Sequence, residues 1–109
     1  MSDVKIKIIS RNNLASGSNL AGVEVLNMMD RNDVKTLLST EIEKKEPVLI
    51  GIDADLFPNE DKKILKHLEE NPFPVIIPLP RLEAHSKEDA EKYVAEMVRS
   101  CIGYYVKLK

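Results

Sequence analysis

From Val4 to Ile9 apolar and charged positions alternate, with Val4, Ile6 and Ile8 set against Lys5 and Lys7, and Ile9 closes the run. That two-residue period predicts a first strand over 4–9. Ser10–Asn19 is polar and carries Gly17; it reads as a loop with a short helix running toward Leu20-Ala21 and ending at Gly22. Val23–Met28 is a second strand. Asp30 is a good N-cap, Asp33 follows three residues on, and Val34, Leu37, Leu38 and Ile42 recur at helical spacing to about Lys45. Glu46-Pro47 breaks that helix. Val48–Ile52 is a continuous apolar run, the pattern of a strand covered on both faces. Asn59 is expected to cap the next helix, with Glu60 and Asp61 near the positive end of its dipole and Ile64, Leu65 and Leu68 as its apolar face. Asn71-Pro72-Phe73-Pro74 ends it, and Val75–Ile77 predicts a fourth strand cut off by Pro78 and Pro80. Ser86 with Asp89 opens a last helix whose apolar positions are Ala90, Tyr93, Val94, Met97, Val98 and Cys101, with Gly103 just past its end.

Strand and helix alternating with short links predict an α/β fold: a small doubly wound domain with a four-stranded parallel sheet in the order 2-1-3-4, flanked by helices. At 109 residues the chain is expected to be one domain. Residues 1–80 form its α/β core, and residues 81–109 a hinge, a C-terminal amphipathic helix and an apolar tail. The tail, Ile102-Gly103-Tyr104-Tyr105-Val106-Lys107-Leu108, holds two of the three tyrosines. Termini with nothing to hold them are usually small and polar. An apolar one is expected either to tuck onto its own domain or to meet another protein.

Composition narrows the function. A net charge of −2 with interleaved signs leaves no basic footprint for nucleic acid. No apolar stretch approaches membrane-spanning length, and the first residues lack a secretory pattern. One cysteine, Cys101, cannot form an internal disulfide, so a reducing cytoplasm is the simplest setting.

In open α/β sheets chemistry belongs at the carboxyl ends of the strands. After the first strand stands Ser10-Arg11-Asn12-Asn13, without the glycine fingerprint a dinucleotide requires. Asp53-Ala54-Asp55 after the third strand raises the alternative of a receiver-like signalling domain that accepts a phosphoryl group on Asp53 or Asp55. That chemistry also needs an acidic pair after the first strand to hold Mg²⁺, and those positions carry no carboxylate. Asp53 and Asp55 are otherwise expected in a solvated loop. His67 and His85 lack companions at zinc-ligand spacing and are expected at the surface. Cys101 has no histidine near it in sequence and reads as a small buried hydrophobe. No catalytic residue, metal ligand or cofactor site is expected, and the chain reads as a non-enzyme.

Three stretches in order point to a family: Leu20-Ala21-Gly22-Val23 after the first strand, Pro74-Val75-Ile76-Ile77-Pro78 after a proline-broken helix, and the ending Ile102–Leu108 after an amphipathic helix. Together they resemble the F subunit of V-type and A-type rotary ATPases and ATP synthases, called G in some bacterial sodium-pumping operons. The resemblance implies a non-catalytic subunit of the central rotor stalk, peripheral on the cytoplasmic side of the membrane. Its C-terminal segment would pack along the coiled coil of the D subunit, with the A/B catalytic hexamer and the C/d subunit as further partners, and it would modulate ATP hydrolysis or synthesis. The Gly-Asp-rich turn usual after the family's first strand is replaced here by Ser10-Arg11-Asn12-Asn13.

The stripe on the last helix alone argues for packing on the domain's own sheet. The proline-rich segment before it and the apolar, tyrosine-bearing tail argue for a partner. Both roles fit if the helix has two working sides. The expected partner-binding residues are Tyr93, Val94, Met97, Val98, Cys101, Ile102, Tyr104, Tyr105, Val106 and Leu108.

Overall fold

In the computed structural model, residues 5–11, 23–71, 73–80 and 86–107 are described, with side chains as far as residue 103. Four strands, β1 (Lys5–Ser10), β2 (Val23–Asn27), β3 (Val48–Asp53) and β4 (Val75–Leu79), form one parallel sheet in the order β2-β1-β3-β4. β1 lies between β2 and β3, with Ile8 opposite Val25 on one side and Gly51 on the other. Every residue of β3 is buried, as its unbroken apolar run requires.

Alternation along the strands divides the core in two. Ile9, Ile50, Ile52 and Ile76 face helices α1 (Arg31–Lys44) and α2 (Lys62–Glu70), which add Val34, Leu38 and Ile64. Ile6, Ile8, Leu49, Val75 and Leu79 face the opposite way, toward α3 (Lys87–Lys107), which adds Ala90, Val94, Met97 and Cys101. The sheet is therefore covered on both faces, and α3 is the helix on the second.

Local chemistry sets the ends of the elements. Asp30 caps α1 by accepting from the Asn32 amide at 2.7 Å, and Lys45 closes it in the left-handed region at φ 53°. The cap of α2 is Asp61, which accepts from the amides of Lys63 and Ile64, and not the expected Asn59. The Asp61 amide donates to the Pro58 carbonyl at 3.2 Å, so a turn occupies 58–61 and delays the helix by two residues.

β4 also runs through Pro78 to Leu79, where a break was expected. Among the described residues the strand pairs with β3 alone, so a missing amide at the exposed Pro78 can lie on the open edge without loss to the ladder. The expected short helix before Gly22 and the segment 81–85, including His85, lie outside the described residues.

Candidate functional site

At the carboxyl ends of β1 and β3, where the strand order switches direction, the structure places Ser10 and Asp53, both buried. They line a crevice closed by Leu79, Pro80, Tyr93 and Met97, with about 10 Å³ of space, room for one water. Asp53 is 4% exposed, which corrects the solvated loop expected for it. It is the last residue of β3, and its carboxylate accepts from the Asp55 amide at 2.9 Å, capping the 3-10 turn Ala54–Leu56. Asp55 stands 3.6 Å from Arg11, and its carbonyl accepts from Arg31 Nε at 3.0 Å. These groups tie the strand ends together. Among the described residues, no three His, Cys, Asp or Glu side chains converge as a metal site would need.

His67 is half-buried rather than on the surface; its Nδ1 lies 3.1 Å from Asn71 Nδ2. Cys101 is fully buried, and burial pushes its thiol up to about 11. That is opposite to the lowering a nucleophilic thiol needs.

The other feature is α3 itself. Ser86 begins it: its hydroxyl accepts from the Asp89 amide at 3.1 Å and its carbonyl from the Ala90 amide at 3.0 Å. The hydroxyl of Tyr93 donates to the Pro80 carbonyl at 2.6 Å, fastening the first turns of the helix to the end of β4. Val94, Met97 and Cys101 are buried against the domain's own sheet. Tyr93 and Val98 are half-buried at the margins of that contact. Ile102 is 48% exposed, and with Met29 it makes up the exposed large hydrophobics among the described residues.

α3 does not stop at Gly103, where an end was expected, but continues to Lys107. Glycine weakens a helix interior without forbidding it, and the tail is thus helical in its first part. The side chains of Tyr104, Tyr105 and Val106, and Leu108 altogether, lie outside what is described.

Residues 6–98 match the sequence model of the ATP synthase (F/14-kDa) subunit. The chain belongs to that family. The matched span runs from β1 into α3 and covers the proline-flanked β4 stretch, while the ending 102–108 lies beyond it. Two proteins, from two strains of Thermus thermophilus and each named as the F subunit of a V-type ATP synthase, are similar over nearly their whole length. One is 30% identical over 102 residues, covering 93% of this chain and 98% of the relative. The other is 29% identical with the same coverage. For a member of the F/14-kDa family, an Asp53 engaged in capping, an Asp55 beside Arg11 and an α3 with the exposed Ile102 direct attention to the helix. No helix among the described residues is long and apolar enough to cross a membrane.

Proposed function

We propose that this chain is a non-catalytic, cytoplasmic-side component of the central rotor stalk of a V-type ATPase or ATP synthase. It binds the coiled-coil D subunit through α3 and the residues after it, and helps couple or regulate ATP hydrolysis and synthesis with ion transport. The A/B hexamer and the C/d subunit are the further neighbours such a position provides. The observation that carries this reading is an apolar flank on α3, led by the exposed Ile102, on a member of the F/14-kDa family. Single exposed apolar residues are ordinary on protein surfaces. In sequence this one opens the apolar stretch Ile102-Gly103-Tyr104-Tyr105-Val106, so it does not stand alone.

The test is a pull-down with the D subunit of the same complex, comparing the intact chain with one ending at Gly103. A cut after Pro80 would strip Ala90, Val94, Met97 and Cys101 from the core, so loss of binding there would report unfolding. Weaker capture of the shortened chain is expected. Equal capture of both would remove the tail from the interface, and no capture of either would sink the stalk assignment.

A further inference from the structure

β3 is buried at all six positions, with Val48, Ile50 and Ile52 toward α1 and α2 and Leu49 toward α3. Such a run says little about which face is which, because a shift of one residue exchanges one apolar set for another. α1 is similarly open. Its apolar burial rests on Val34 and Leu38, with Leu37 and Ile42 only partly covered. Apolar contact thus leaves the placement of α1 on the sheet loosely determined.

Into that contact β1 and α1 bring an ion pair. Lys5 and Lys7 alternate with Ile6 and Ile8, which face α3, so the lysines take the α1 side. Lys7 stands beside Ile50 in the ladder and pairs with Glu41, the third buried residue of α1. Strength alone does not explain the pair. Glu41 Oε2 is buried with no hydrogen-bond partner among the described residues, so its desolvation is only partly offset. Apolar side chains of similar volume would fill the same place without that penalty.

The neighbouring residues show what the pair rejects. One turn before Glu41 stand Leu37 and Leu38, and one turn after it stand Lys44 and Lys45. Sliding α1 by a turn in one direction would leave Lys7 beneath leucines, with no acceptor. Sliding it in the other would set lysine against lysine. Shifting β1 by one residue would send Lys7 to the α3 side, among Leu49, Val75, Met97 and Cys101. The buried carboxylate on that side, Asp53, is committed to the Asp55 amide. Each wrong placement strands a buried charge, and the observed one does not.

We propose that the Lys7–Glu41 pair is a register lock: it selects one placement of α1 on β1, and it contributes uniqueness rather than strength. The lock is a property of the fold and holds whether or not the chain sits in a rotor stalk.

The full chain is compared with two variants, Lys7→Met with Glu41→Leu, and Glu41→Gln alone. Amide proton–nitrogen correlation spectra and urea unfolding are the readouts. Glu41→Gln keeps the shape and an acceptor for Lys7, so wrong placements remain penalised. It should have the lower urea midpoint of the two variants, yet show one set of amide signals. The apolar pair should have the higher midpoint, yet show several sets of signals, or broadened ones, across β1 and α1. Its unfolding slope should fall below that of the parent.

Opposite orders of stability and uniqueness support the lock. A single sharp set of signals from the apolar pair overturns it. Failure of the apolar pair to fold overturns it as well, because the charges would then be supplying strength. Heterogeneity as great in Glu41→Gln as in the apolar pair also overturns it, since disorder would then follow lost stability. If Glu41→Gln is too weak to fold, the spectrum of the apolar pair decides alone.

Discussion

Lys7 on β1 and Glu41 on α1 form an ion pair across 34 residues of sequence, with the Glu41 side chain 1% exposed and that of Lys7 17%. Glu41 occupies the buried stripe of α1, in line with Val34 and Leu38. Its Oε1 is shared with Lys44 at 3.6 Å, while its buried Oε2 has no hydrogen-bond partner among the described residues. The strand that crosses the middle of the sheet is thus held to its covering helix by charge as well as by apolar contact.

Lys7→Ala should therefore destabilise the fold by about 2–4 kcal/mol, because it leaves a buried carboxylate with only the more distant Lys44. Replacing both partners, as Lys7→Met with Glu41→Leu, should restore much of that loss, since an apolar pair needs no compensation. Urea unfolding followed by circular dichroism measures both. A single variant as stable as the parent would show that Glu41 does not depend on Lys7.

Gly51 of β3 faces Leu79 of β4 and Cys101 of α3 with no room for a side chain. A Cβ there would lie 2.5 Å from Leu79 Cδ1, 3.0 Å from Leu79 Cγ and 3.3 Å from Cys101 Sγ. Gly51→Ala is expected to destabilise by about 1–3 kcal/mol through overpacking. Leu79→Ala combined with it should be less harmful than the sum of the two changes, because the removed atoms are those the new methyl meets. A double-mutant cycle on thermal unfolding tests that coupling; strict additivity would mean that the crowding is relieved elsewhere.

Most of the architecture was legible because a parallel sheet writes itself in strand runs and helical stripes. The order β2-β1-β3-β4 follows from packing such units on both faces. What escaped depended on spatial neighbours. Pro78 looks like a stop until β4 is known to be an edge, and Asn59 looks like a cap until the turn after Pro58 is seen. The burial of Glu41 has no local signal, because its partner Lys7 stands 34 residues away in sequence. In α3 the periodicity located the apolar positions, but one stripe of Tyr93, Val94, Met97 and Val98 does not reveal which members face the sheet. Burial separates Val94 and Met97 from the half-open Val98. Asp53 was legible as a strand-end acid, whereas its commitment to capping the following turn was not.

Gly103 lies inside α3 with free space around it. Gly103→Ala should stabilise the fold by about 0.5–1 kcal/mol, since alanine loses less backbone entropy and a methyl there meets no neighbour. The gain should appear as a higher unfolding midpoint and slower exchange of the last helical turns. A loss of stability would indicate that the helix end is not continuous in solution.

The thiol of Cys101 provides a pH signature of α3 docking. Burial raises it from 9.0 to about 11, so between those values the unfolded chain has released a proton that the folded chain retains. Stability from this group is complete below pH 9 and is lost as pH rises through 11, by on the order of 3 kcal/mol in all. Cys101→Ala removes the titration, so the difference in unfolding free energy between parent and variant should narrow across that interval. Alkylation should be slow at about pH 8 in the native chain and fast once α3 is released by denaturant. A Cys101 that reacts at the rate of a free thiol under native conditions would mean that the helix spends much of its time off the sheet.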